Sequence, residues 1–215
     1  MKEGYLGNLF LVHPPKEGLT ISSALLSGPF LSASYFSLGK GTDISPESYP
    51  DYVLVCSLGG DLAVVSPGLH KTIRPYESVL FKPGELLGME SRNGCGYIQF
   101  TIGGKNDMKC SIQAGEVFSL KNLVSYEEGS IVNKDLLSNE KRKLAILAFD
   151  QGQELSPHRA KGNALLFILE GKGLITYEGK EFEVKEGDEF CFAKDGLHAV
   201  KALTKFKMAL LLVLD

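Results

Sequence analysis

The sequence predicts an all-β protein made of two similar tandem halves, and three observations lead there. Its 24 glycines and 9 prolines cut the chain into short runs rich in Val, Leu, Ile, Phe and Tyr, with almost no window long enough for a capped helix. Turn residues and period-two alternation occur together, as hairpins require. Sliding the sequence against itself by 111 residues lays apolar runs on apolar runs without a gap, the mark of a duplicated architecture.

In the second half, residues 143–149, 164–169, 173–177, 180–184, 188–192 and 205–214 read as strands. Glu178-Gly179 is the expected two-residue turn between two of them, and Glu181-Phe182-Glu183-Val184-Lys185 alternates, so one face of that strand is wet. The offset pairs Glu17-Gly18 with Glu128-Gly129, Gly41 with Gly152, Ser45-Pro46 with Ser156-Pro157, Gly60 with Gly171, Gly68 with Gly179 and Phe81 with Phe192. The polar, glycine-rich stretch 103–107 then reads as the linker, dividing the chain into a first domain over 1–106 and a second over 107–215.

Composition narrows the function. A chain of 215 residues with 44% hydrophobic and 23% charged content has the balance of a globular protein. A net charge of −3 lacks the positive surplus that phosphate neutralisation needs, so nucleic acid is not an expected partner. No apolar run approaches the roughly 18 residues of a spanning helix, and the N-terminal stretch is too polar for a signal-peptide core, so the expectation is a cytoplasmic protein with no membrane partner. The four cysteines are widely spaced, with no paired-cysteine zinc motif, and read as reduced thiols. His13 and His70 sit in turn-like contexts and are expected to be exposed.

Residues 152–171 followed by 187–198 resemble the two motifs of the cupin superfamily. The first motif runs glycine, five residues, His-x-His, three or four residues, glutamate, six residues, glycine. The second runs glycine, five residues, proline, one residue, glycine, two residues, histidine. Gly152, His158, Gly171, Gly187 and His198 fall on the pattern. Ala160 stands at the second histidine, Ala164 at the glutamate, and Ala193 and Asp195 at the proline and glycine. In the first copy Glu47, Tyr49, Val53 and Leu87 occupy the four ligand positions. The resemblance covers nearly the whole chain and implies a bicupin: two double-stranded β-helix, jelly-roll-like barrels with degenerate metal motifs.

Residues two apart on a strand face the same way, so His158, Ala160, Ala164 and Leu166, with Ile168 beyond them, share a face if no bulge intervenes. With His198 the first four form the candidate ligand site: two imidazoles at one end of an apolar wall. Two readings of the pair stay open. They are neutral, hydrogen-bonded pocket residues, or His158 and His198 bind a divalent transition metal weakly, with water or a ligand completing the shell. Alanine in place of a histidine and a glutamate removes charge and volume, leaving room for a small molecule, although Phe167, Phe190 and Phe192 are at hand to fill it. The leading expectation is a small-molecule-binding protein, monomeric or homodimeric, of no assigned catalysis. The alternative is a metal-dependent isomerase or oxygenase with a two-histidine centre. A structural protein of two mutually stabilising barrels is the third.

Overall fold

The computed structural model describes residues 3–28, 31–103 and 108–214. The strands of the first half are β1 (Leu6–Gly7), β2 (Thr20–Gly28), β3 (Leu31–Leu38), β4 (Thr42–Ser48), β5 (Tyr52–Ser66), β6 (Leu69–Ile73), β7 (Glu77–Phe81) and β8 (Leu86–Ile102), with one helical turn, α1 (Leu9–Val12), after β1. Those of the second half are β9 (Lys109–Cys110), β10 (Val117–Ser119), β11 (Ile131–Ser138), β12 (Arg142–Phe149), β13 (Glu154–Arg159), β14 (Gly162–Glu170), β15 (Lys172–Tyr177), β16 (Lys180–Lys185), β17 (Glu189–Phe192), β18 (Leu197–Ala202) and β19 (Phe206–Leu214). A short 3-10 helix covers Leu120–Leu123. The chain is thus all-β, as its punctuation dictates. No helix among the described residues is long and apolar enough to cross a membrane.

Pairing registers repeat with the same 111-residue step as the sequence. Leu31–Leu38 pairs with β8 from Ile102 back to Cys95, and Arg142–Phe149 pairs with β19 from Val213 back to Phe206. Val53 lies opposite Phe81, and Ala164 opposite Phe192. Even the irregularities recur: the β2–β3 ladder slips between Ala24 and Leu26, and the β11–β12 ladder between Asp135 and Leu137. Gly60 and Gly171 hold positive φ of 72° and 79°, and an added Cβ would collide with the Gly94 and Lys205 carbonyl oxygens respectively. Only glycine meets both demands at that turn.

Contacts group the chain into two compact units. One comprises Leu9–Met108 with Ile112–Ser119, the other Met1–Asn8, Lys109–Ser111 and Leu120–Asp215. The expected 106/107 boundary lies outside the described residues. Two short segments depart from a contiguous division. β1 adds to the edge strand β17, with Leu6 opposite Phe190, and β10 adds to β7, with Val117 opposite Val79. Each satisfies a row of edge N–H and C=O groups, and strands of two and three residues carry too little periodicity to be read in advance.

In the unit holding the second half, one sheet runs β1-β17-β14-β19-β12-β11-β9 and another β13-β18-β15-β16. The inner faces of both contribute to one core that includes Phe149, Leu166, Ile168, Ile175, Tyr177, Phe190, Val200, Phe206 and Met208. Strand alternation produces this face, and it places Phe167 on the opposite side of β14 from Leu166 and Ile168. In the other unit Val53, Val55, Leu62, Val79, Phe81, Leu87, Met89 and Tyr97 form the corresponding core.

Candidate ligand-binding site

The site begins at a proline. Pro157 has no N–H to give to a ladder, so β13 slips against β18 between Leu155 and His158. The first half slips in the same way around Pro46, between Ile44 and Glu47. Beyond the slip His158 stands directly opposite His198, and Arg159 opposite Leu197. The two imidazoles therefore meet, with ring centroids 4.3 Å apart and planes tilted by 55°. Phe192 stacks on His198, with ring centroids 4.0 Å apart and planes 23° apart. His198 is buried, whereas His158 is exposed at the mouth. The slip brings it to the end of β13, where the strand leaves the core.

Hydrogen bonding fixes the ring protons. His158 Nδ1 lies 2.7 Å from the Ser156 carbonyl, and His198 Nδ1 2.9 Å from that of Gly196. A carbonyl only accepts, so both Nδ1 atoms donate, and in the neutral rings both Nε2 atoms carry lone pairs. Burial holds the His198 pKa below its ordinary value; the Gly196 carbonyl works against this shift, and the neighbouring His158 adds to it.

The five residues singled out in the sequence, His158, Ala160, Ala164, Leu166 and His198, all line one cavity of about 350 Å³. Phe192, Val200, Met208 and Leu210 continue its wall, so the lining is mostly apolar. Phe190 belongs to the core instead of the lining, and the small side chains at 160 and 164 leave the space open.

Sequence reading missed two residues at the mouth, Arg159 and Lys161, which flank Ala160 in His158-Arg159-Ala160-Lys161. Arg159 Nη1 donates to the Asp195 carbonyl and lies 3.9 Å from Glu178 Oε1. The Asp195 amide in turn donates to the Ala160 carbonyl at 2.9 Å. These bonds tie the loop before β18 to the mouth.

Donor chemistry tests the metal reading. The two Nε2 atoms are suitable ligands, but Ala160 and Ala164 supply none. Among the described residues no group of three or more His, Cys, Asp or Glu is placed to hold a metal ion. A closed site of three or four protein ligands does not fit these side chains.

The equivalent place in the first half is different in kind. Glu47 stands opposite Leu87, and Tyr49 donates to Glu47 Oε2 at 3.3 Å. Val53 and Leu87 are buried in the core. Burial raises the Tyr49 pKa; a hydrogen bond with Gln99 opposes the shift, and the Glu47 carboxylate adds to it.

Comparison with known proteins agrees with this architecture. Residues 145–214 match the family model of the cupin domain. No curated protein matches the chain. Among solved structures, a cupin 2 conserved barrel domain protein from Leptotrichia buccalis is similar over 99% of this chain and 98% of its own, with 28% identity and a TM-score of 0.88. A salicylate 1,2-dioxygenase variant from Pseudoaminobacter salicylatoxidans, in complex with gentisate, is similar over 97% of this chain and 81% of its own, at 11% identity and TM-score 0.69. Protein Ylba from E. coli is similar over 99% and 92%, at 13% identity and TM-score 0.65. The last two share the fold alone. The chain has the cupin fold, and its second barrel carries the match to the cupin domain.

Proposed function

We propose that the chain is a two-barrel cupin that binds a small molecule in its second barrel, over residues 107–215, while the first, over 1–106, has lost its ligand positions. The observation that carries this reading is the apolar cavity of about 350 Å³ with two imidazoles, and no filled core, at its polar end. An apolar concavity with a few convergent polar groups is the usual form of a small-molecule site. No catalytic step is assigned: a metal-dependent isomerase or oxygenase would need further protein ligands where Ala160 and Ala164 stand. Thermal-shift screening of small amphipathic compounds tests the proposal, because a ligand of the folded state raises stability by about 2.7 kcal/mol at a hundred times its Kd. Hits should lose their effect in Ala164→Phe, which fills the cavity, and in the His158→Ala/His198→Ala double variant. Hits that shift Ala164→Phe as much as wild type would place binding elsewhere.

A further inference from the structure

The cavity's wall and mouth differ in chemistry, and the difference selects a ligand class. The wall is apolar, formed by residues such as Leu166, Phe192 and Met208. At the mouth, Lys161 and Arg159 bring two cations to the lining. Arg159 is engaged: it donates to the Asp195 carbonyl and lies near Glu178. Lys161 is exposed and has no hydrogen bond or ion pair among the described residues. Both Nδ1 protons are held by backbone carbonyls, so each imidazole in its neutral form offers its Nε2 atom to a ligand as an acceptor. A ligand's anionic group is repelled by those lone pairs and drawn to Lys161, while a hydroxyl or N–H on the same ligand suits the imidazoles.

We infer that the ligand is an amphipathic organic anion, with an apolar body in the cavity, a carboxylate-type group at Lys161 and a hydrogen-bond donor facing His158 and His198. This rests on the reading of the cavity as a binding site. Lysine recognises such a group as a point charge without fixed geometry.

Two probes that share an apolar body separate the contributions: 2-naphthoate, an anion, and 2-naphthalenemethanol, a neutral donor. Each is titrated by calorimetry into the full chain and into Lys161→Gln. The expected result is that Lys161→Gln weakens 2-naphthoate about tenfold and leaves 2-naphthalenemethanol within twofold. Lys161→Arg should restore most of the 2-naphthoate affinity, since the charge matters more than its shape. Equal effects of Lys161→Gln on both probes, or binding of the alcohol but not the carboxylate, would overturn the inference and leave the binding site standing. If neither probe binds the wild-type chain, the binding-site reading falls and takes the inference with it.

Discussion

Asp195 and Gly84 hold the same left-handed backbone position in the two halves of the chain, at φ +63° and +86° and 111 residues apart. Tyr76 and Gly187 form a second such pair, at +66° and +87°. The duplicated turn geometry persists where one copy has replaced glycine, so the surrounding ladders impose the conformation on a side chain that resists it. A left-handed non-glycine residue costs about 1–2 kcal/mol, least for Asp and Asn.

Asp195 acts on the mouth through its backbone, accepting from Arg159 and donating to Ala160. Asp195→Gly keeps both bonds and relieves the turn, at the expense of a looser unfolded chain, so its stability should stay within about 0.5 kcal/mol of wild type or exceed it. Asp195→Val places a β-branched residue at positive φ and should destabilise by about 2 kcal/mol. Chemical denaturation of the two variants checks the pair; equal losses would show that the side chain, and not the turn, sets the energy.

Stability should fall on mild acidification. Burial lowers the His198 pKa below 6.5, so in this range the unfolded chain takes up a proton that the folded chain refuses. The His198 contribution is therefore present above pH 6.5, declines as pH falls through the lowered folded value, and is gone below it. His198→Asn should flatten the part of the stability–pH curve between about pH 7 and 5, where an ordinary histidine titrates. A His198 titration midpoint above 6.5, read by NMR, would contradict the burial argument.

Much of this fold is written in the sequence because the duplication doubles every signal. The Ser45-Pro46 and Ser156-Pro157 pair looks like ordinary punctuation, yet each proline marks a register slip that sets a motif residue opposite its partner. The slip also puts His158 at the mouth, which simple parity counting along β13 could not show. β13 and β18 themselves are absent from the apolar runs, since Glu154–Arg159 and Leu197–Ala202 are interrupted by polar residues that face solvent or the cavity. Lys161 was hidden for another reason: a single exposed lysine resembles any other until a cavity is seen beside it.

Lys207 was also illegible in the sequence, where it sits inside the most apolar run of the chain. Alternation turns it away from the inward-facing Phe206 and Met208, yet its side chain is only 9% exposed. Its Nζ donates to the Lys121 carbonyl at 2.7 Å, lies 3.9 Å from Glu170 Oε2 and stands 4.4 Å over the Tyr126 ring. Lys207→Met keeps the apolar stem and removes the donor, and should cost about 1–3 kcal/mol by leaving the carbonyl unpaired. Glu170→Gln should cost less than about 1 kcal/mol, because that carboxylate is partly solvated. Urea denaturation of both variants tests the ranking.

In the interior of the unit built around Leu9–Met108, Ser57 and Tyr97 are opposite each other across the β5–β8 ladder. Both are buried, and among the described residues neither hydroxyl has a hydrogen-bond partner. The positions 111 residues later are Ile168 and Met208, apolar core residues with no polar group to satisfy. Burial pushes the Tyr97 phenol pKa well above its ordinary value, the mark of a hydroxyl stripped of solvent. The ring itself is well placed, stacked on Phe36 at 5.0 Å with planes 9° apart. Tyr97→Phe keeps that contact and deletes only the unpaired hydroxyl, whose desolvation costs about 1–3 kcal/mol. The variant should therefore be more stable than wild type by roughly 1 kcal/mol, seen as a rise in Tm, and Ser57→Ala should not reverse the gain. A loss of stability in Tyr97→Phe would mean that the phenol is hydrogen-bonded in solution, to water or to a small molecule inside the first barrel, and the proposal that this barrel has lost its ligand positions would have to be reopened.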